Sequence, residues 1–276
     1  MLSKTVWGGA ELLKDTCSGL SLTNMMLLQP VWTSLLGHSS VLHSPVFPVL
    51  FSLGVYLSLC LPFLLLDLLS SRWALVRRYK LQPLSSFSWS SAWICLSRTL
   101  FNHLVFIFPI TVINWYLRPV YLPQEAPPLL RLLAQVFVCL LLFDFQSFTW
   151  HLLHHRISWL YRSFHKVHHT FTSTHALTAE YSGVWETLSL GVFAAANPAL
   201  LGLHPLTELV FFVVNMWLSV EDHCGYELPW ATHRLVPLGL YGGARHHHLH
   251  HLRSNCNYAP YFTHWDRLAG TLHTGD

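Results

Sequence analysis

Four long apolar stretches limit how this chain can fold more than any other feature of its sequence. Three of them, residues 46–69, 93–117 and 129–150, are long enough to cross a bilayer, because a membrane-spanning helix needs about 20 apolar residues. Only 11% of the residues are charged, whereas an ordinary soluble domain has about 25%. We therefore predict an integral membrane protein, and the composition disfavours a soluble globular enzyme. The net charge of +3 is too small to indicate a nucleic-acid partner.

The fourth apolar stretch, residues 184–220, is interrupted by Asn197-Pro198 and again by His204-Pro205. Since proline breaks a helix, we expect a helical hairpin that enters and leaves the membrane on one side. Arginine and lysine cluster after the first and third stretches and in the last part of the chain, which predicts a cytosolic location for these segments. The expected fold is all-α: a polytopic membrane helical bundle of three to four spans plus a hairpin, with a cytosolic histidine-rich di-metal lobe.

Three short histidine motifs provide the chemistry of this sequence. Residues 151–155, 165–169 and 247–251 each read H-x-x-H-H. Positions i, i+3 and i+4 share one helix face, so each motif, or box, can direct three imidazoles to one place. On one continuous helix the first two boxes would lie about 21 Å apart. The chain must therefore bend between them, and residues 158–161 are the expected place.

The number of imidazoles exceeds what one metal ion needs. A tetrahedral zinc takes three or four ligands, whereas three boxes together with His223 and His246 offer eleven. Without a metal, crowded imidazoles would repel one another when protonated. Loose histidine-rich metal-capture tracts also exist, but three copies at one spacing favour a structured site for two metals. The candidate ligands are His151, His154, His155, His165, His168, His169, His223, His246, His247, His250 and His251.

These boxes resemble those of the fatty acid hydroxylase/sterol desaturase superfamily, and within it the chain is most similar to the cholesterol 25-hydroxylase family. The resemblance extends from about residue 45 to the end, so that we expect residues 1–45 to be an N-terminal segment and residues 46–276 the catalytic domain. One departure is His248, which stands where the third box usually has Asp. Besides the boxes, the resemblance rests on residues 150–155, 164–169, 219–226, 232–237 and 255–266.

The resemblance implies a membrane monooxygenase with two non-haem irons and O2, which hydroxylates cholesterol at C25 to 25-hydroxycholesterol. It also implies an endoplasmic reticulum membrane, with the boxes facing the cytosol. Zinc lacks the redox chemistry that an unactivated C–H bond requires. The sequence has no G-x-G-x-x-G fingerprint. Electrons from NADPH must therefore arrive through a partner, either a reductase or cytochrome b5.

Three residues outside the boxes are further candidates. Glu221 and Asp222 could orient an imidazole from outside the metal shell, and His233 could position the substrate, whereas Glu186 is interpreted as structural. Several alternatives remain open at this stage. A C4-methylsterol oxidase or a sterol desaturase would share the boxes. Proteins of other classes, namely a histidine-rich metal-binding or transport protein and a non-catalytic sterol-binding protein, would use them without catalysis.

Overall fold

The computed structural model describes residues 27–275 and contains helices joined by loops, with isolated β-bridges but no β-strand in that range. Residues 1–26 of the predicted N-terminal segment lie outside this description. The helices are α1 (27–36), α2 (Ser39–Leu42), α3 (Phe47–Ser70), α4 (Ala74–Arg77), α5 (Trp89–Asn102), α6 (Phe108–Leu117), α7 (Leu129–Arg156), α8 (Ser158–Leu160), α9 (Val184–Leu200), α10 (Pro205–His223), α11 (Thr232–Leu235), α12 (Gly243–Arg253) and α13 (His264–Ala269).

The three predicted spans are confirmed as helices that are long and apolar enough to cross a membrane: Phe47–Ser70, Trp89–Leu117 and Leu129–Arg156. The second of these joins α5 to α6 without interruption, through the π-helical turn His103–Ile107. Many of their apolar side chains are exposed on the outside of the bundle, as a lipid-facing surface requires.

The fourth apolar stretch forms the predicted hairpin of α9 and α10. Its turn lies beside the loop that precedes α7, since the His204 ring Nε2 donates to the Glu125 carbonyl oxygen over 3.0 Å. The hairpin therefore turns at the end of α7 opposite the first histidine box. Pro198, which we expected to interrupt the helix, lies inside α9. Paired amide hydrogen bonds of 3.0 and 2.9 Å between Gln146 and Asn197 hold α9 against α7 at this point.

The last part of the chain packs along α7 more deeply than its polar composition predicts. The Asp144 carboxylate, within α7, accepts a hydrogen bond from the Tyr261 backbone N–H at 2.8 Å. Further along the same helix, the Phe137 and Phe262 rings lie 6.3 Å apart. At 1.5 Å per residue, Phe137 is roughly 29 Å from the end of α7 at Arg156. The histidine-rich lobe therefore includes a segment that runs beside the membrane span.

Candidate metal centre

Nine of the candidate imidazoles come together in two buried or half-buried groups, and within each group the candidate ligand nitrogens all lie within 4.8 Å of one another. The five-histidine group consists of His151, His155, His165, His169 and His250. The four-histidine group consists of His168, His223, His247 and His251. Of the eleven histidines predicted as ligands, the structure thus brings nine together in two groups, and His154 and His246 belong to neither.

Local backbone geometry brings the first two boxes face to face. The first box lies at the end of α7, and Ile157 then takes an extended conformation with φ −111° and ψ 108°. The bend thus occurs one residue before the predicted place. The π-helical turn Tyr161–His165 follows and reverses the chain. As a result, the Nε2 atoms of His155 and His169 lie 3.1 Å apart, although they are separated by fourteen positions in the sequence.

The second and third boxes each supply histidines to both groups, an assignment that the sequence left open. The neighbouring residues His168 and His169 belong to different groups, and so do His250 and His251. Consecutive residues on a helical turn point about 100° apart, so two metals side by side can each take one of them. The assignment of each histidine to one group depends on tertiary packing, and the spacing within a box carries no information about that packing.

Hydrogen bonds at the outer ring nitrogen fix the tautomer of five imidazoles. A backbone carbonyl can only accept a hydrogen bond, so each of these Nδ1 atoms carries the proton and the neutral ring has a bare Nε2. The bonds run from His151 to Tyr258 (2.7 Å), His168 to Tyr181 (3.3 Å), His223 to Ser219 (2.8 Å), His250 to Cys256 (2.7 Å) and His251 to Phe171 (3.0 Å).

The bare nitrogens face each other, and this is the observation that calls for a cation. The Nε2 atoms of His168 and His223, both with fixed tautomers, are 3.3 Å apart. Burial lowers the pKa of His168 to about 4, and burial with neighbouring imidazoles lowers the pKa of His165 and His250 well below the usual range. At neutral pH these rings are uncharged, so lone pairs point at lone pairs. A metal ion between them removes this repulsion, and the residues therefore fit two metal ions.

Among the described residues, one carboxylate contacts the groups, and it is not one of the two that the sequence indicated. His165 Nδ1 lies 3.0 Å from Glu186 Oε1, and both side chains are buried. Glu221 instead accepts a hydrogen bond from the Thr232 backbone N–H, and Asp222 accepts one from the Tyr241 hydroxyl. Glu221 and Asp222, the predicted candidates for orienting an imidazole, thus bond elsewhere, and the carboxyl group beside an imidazole is that of Glu186, which we interpreted as structural.

Three candidate histidines and His248 lie outside both groups. The His154 ring stacks on Trp150 at 3.6 Å, and its Nδ1 donates to the Trp150 carbonyl oxygen. His246 turns toward Asp266, with 3.5 Å between its Nε2 and Oδ2. His233 pairs with the Glu227 carboxylate at 2.8 Å. His248, the departure from the family pattern, is buried beside Gln82, away from both groups.

Polar residues inside the second span brace the segment that leads to Glu186. The Arg98 Nε and the Asn102 side-chain amide both donate to the Ser182 carbonyl oxygen, at 3.1 and 3.2 Å. These two residues are one helical turn apart on α5. Polar side chains within a span usually face the protein interior, so their spacing was the sequence signal that marked this contact. The two hydrogen bonds to Ser182 help to position its neighbours in the chain. One of these is Tyr181, whose carbonyl oxygen bonds to His168, and another is Glu186, which contacts His165.

Comparison with known proteins gives matches over most of the chain. Residues 136–271 match the family model described as fatty acid hydroxylase. A cholesterol 25-hydroxylase-like protein of Danio rerio is 63% identical over 249 residues, which are 90% of this chain and 99% of that protein. Cholesterol 25-hydroxylase of Homo sapiens is 54% identical over 252 residues, 91% of this chain and 93% of that protein. A cholesterol 25-hydroxylase-like protein of Caenorhabditis elegans is 31% identical, covering 90% and 82%. No solved structure matches the chain.

Proposed function

This chain belongs to the fatty acid hydroxylase family and is a sterol hydroxylase, and we propose that it hydroxylates C25 of the cholesterol side chain. The proposal includes two iron ions, O2 as co-substrate and electrons from a partner protein. The overall reaction is balanced when the C–H substrate, O2, two electrons and two protons give the alcohol and one water. The single observation that supports it is the convergence of nine imidazoles in two adjacent groups.

The proposed ligands are the nine histidines of the two groups, one group for each ion. Imidazole suits iron, zinc and copper alike, so the choice of iron follows from the reaction. Two bound irons would supply the redox chemistry that activates O2 toward a C–H bond without acidity or a leaving group. No ligand of either group is a carboxylate, unlike in the soluble di-iron bundles, where glutamates provide much of the shell.

The protein's own contribution is to hold the imidazoles ready in one tautomer. Carbonyl oxygens on the Nδ1 side direct bare Nε2 atoms inward before any ion arrives. The Glu186 carboxyl group lies 3.0 Å from His165 Nδ1 and would orient that ring in the same way. Burial keeps these groups from water, which limits competing reactions of an oxidising centre.

The substrate would approach from the lipid. Box one lies at the end of the third candidate span, about 33 Å from its start at Leu129, and a hydrocarbon core is about 30 Å thick. The groups therefore lie near the edge of the membrane, where a sterol dissolved in the bilayer can reach them laterally. The exposed Phe137 and Phe145 side chains of the same helix indicate that it borders lipid.

We place the two groups on the cytosolic side of the endoplasmic reticulum membrane. Exposed basic residues, including Arg72, Arg78, Arg156, Arg162 and Lys166, surround the box end of the bundle, and short basic loops normally remain in the cytosol. An NADPH-dependent reductase or cytochrome b5 would then deliver electrons on that side.

The test is the product formed by the purified full chain in lipid nanodiscs. The protein is loaded with Fe(II) and given cholesterol, O2, NADPH and a reductase system, and sterols are identified by mass spectrometry. We expect 25-hydroxycholesterol, and none from a His168→Gln/His169→Gln variant. Oxidation at another carbon of cholesterol would refute the assignment of C25. A new double bond in cholesterol would favour the related desaturase, and oxidation of the C4 methyl group of a 4-methylsterol, supplied in a parallel reaction, would favour the related oxidase. No oxidised sterol beside an active control enzyme would refute catalysis, and a variable zinc content would then favour metal capture.

A further inference from the structure

The segment of residues 256–262, which follows box three, supplies two of the carbonyl oxygens that orient imidazoles of the five-histidine group. The Cys256 carbonyl oxygen accepts the hydrogen bond of His250 Nδ1, and the Tyr258 carbonyl oxygen accepts that of His151 Nδ1, both at 2.7 Å. His151 and His250 come from α7 and α12, about a hundred positions apart. The position of this segment therefore determines the direction of two proposed ligands at once.

The Asp266 carboxylate, which is fully buried, holds this segment in place. Its Oδ1 accepts from the Tyr258 backbone N–H at 2.8 Å and from the Thr271 hydroxyl at 2.6 Å. Its Oδ2 accepts from the Ala259 backbone N–H at 2.9 Å. His246 Nε2 lies 3.5 Å from the same oxygen. Charge-assisted hydrogen bonds of this kind are about twice as strong as neutral ones.

The connection from Asp266 to His151 passes through one rigid unit. The C=O of Tyr258 and the N–H of Ala259 belong to the same peptide group, which is planar. When Asp266 Oδ2 fixes the N–H of that plane, it also fixes the direction of the C=O on the other side. That C=O is the acceptor for His151 Nδ1. A carboxylate that acts directly on a ligand imidazole is familiar, and here a peptide plane stands between the two.

We propose that Asp266 is a positioning residue for the ion held by the five-histidine group, acting through the Tyr258–Ala259 peptide plane. The inference rests on the proposed metal-binding function. It is selective, because the outer hydrogen bonds of the four-histidine group go to Phe171, Tyr181 and Ser219, which lie on other segments. Loss of the Asp266 carboxylate should therefore weaken one metal site and spare the other.

Asp144 of α7 offers a matched control, because it binds the same segment. It is also a fully buried carboxylate, and it accepts hydrogen bonds from the backbone N–H groups of Tyr261 and Phe262. Among the described residues, the peptide planes that it holds make no hydrogen bond to a box imidazole. An Asp144→Asn change thus alters another buried carboxyl group that holds the segment, while the Tyr258–Ala259 plane keeps its acceptor.

The experiment measures Zn²⁺ binding by the metal-free full chain in nanodiscs, using equilibrium dialysis and elemental analysis. Zn²⁺ binds imidazole without redox chemistry, so binding is measured apart from turnover. Two backgrounds isolate the sites: His247→Gln/His251→Gln leaves the five-histidine group, and His165→Gln/His169→Gln leaves the four-histidine group. We expect Asp266→Asn to lower affinity about 10- to 100-fold in the first background and to leave the second unchanged.

Thr271→Val, which removes one donor and keeps the carboxylate, should give a smaller loss in the first background and so provides a milder variant. Asp144→Asn should leave affinity unchanged in both. Three results would overturn the assignment of Asp266. The first is an unchanged Zn²⁺ affinity of Asp266→Asn in the first background, and the second is an equal loss of affinity in both backgrounds. The third is an equal loss of affinity with Asp144→Asn. If the selective loss occurs but the wild type oxidises no sterol, the positioning role is supported and the proposed activity is refuted. Fewer than two Zn²⁺ ions in the wild type would refute both.

Discussion

The adjacent histidines His168 and His169 should affect different metal ions. His168 lies in the four-histidine group and His169 in the five-histidine group. Removing His168 leaves three imidazoles around one ion, whereas removing His169 leaves four around the other, which is still enough for a tetrahedral site. We therefore expect His168→Gln to weaken its site more than His169→Gln weakens the other.

The size of the effect follows from the number of ligands. Structural four-ligand zinc sites bind with about 10–16 kcal/mol, which is on the order of 2.5–4 kcal/mol for each ligand. Loss of His168 from the four-histidine group should thus lower the affinity of that site by roughly 10²- to 10³-fold. Loss of His169 should cost less than this, because a complete tetrahedral set remains.

The assay is a Zn²⁺ binding isotherm of the metal-free full chain, in which the wild type should show two sites. Each single variant should shift one site, and the double variant should shift both. His154→Gln is the control, because His154 bonds to the Trp150 carbonyl oxygen and lies outside both groups. The division of the boxes between two ions is refuted if either single change shifts both sites equally, or if both changes shift the same site. A shift with His154→Gln would make it a ligand.

Three further outcomes are expected. Glu186→Gln should weaken the five-histidine site about 10- to 100-fold, measured by the same isotherm, and an unchanged affinity would contradict its contact with His165. In the metal-free protein His168 has a pKa of about 4 against about 6.5 unfolded. Stability present above pH 6.5 should therefore fall as the pH drops toward 4, by up to about 1.4 kcal/mol per pH unit for each such group. A melting temperature of the metal-free protein that stays constant between pH 6.5 and pH 4 would contradict this expected loss of stability. Lys80→Met removes the cation that pairs with the buried Asp67 and leaves that carboxylate with the hydrogen bond from the Tyr226 hydroxyl. Thermal unfolding should therefore show a loss of about 3–5 kcal/mol, largely recovered by Asp67→Leu/Lys80→Met.

Features that depend on local pattern could be predicted from the sequence. Run length identified the three spans, and the fourteen-residue offset between the first two boxes required a bend, which occurs at Ile157. The prediction at Pro198 was wrong because proline destroys only the hydrogen bonds of its own turn. The Gln146–Asn197 amide pair, which holds α9 there, joins residues 51 positions apart. Pairings of that separation are not visible in a single sequence.

The choice of carboxylates predicted to contact an imidazole shows a second limit of prediction from the sequence, and helix geometry explains it. Glu221 and Asp222 attracted the assignment because they precede His223, but consecutive residues on a helix do not face each other. On α10 the Glu221 side chain points to Thr232 and Asp222 to Tyr241, while His223 points to the metal groups. Glu186 lies on α9, 21 positions after His165 in the sequence, and reaches His165 only after α9 has packed.

The outer shell of this centre has a consequence for its charge. Backbone carbonyls fix five imidazoles, and Glu186 is the one carboxylate seen to bond to a box imidazole among the described residues. A carbonyl sets the tautomer without adding charge, so neutral ligands leave most of the positive charge of two divalent ions uncompensated. Such a site would bind its metals through the arrangement of its imidazoles more than through negative charge. Since the geometry comes from segments as distant as α7 and Asp266, metal binding and folding of the last twenty residues should be strongly coupled.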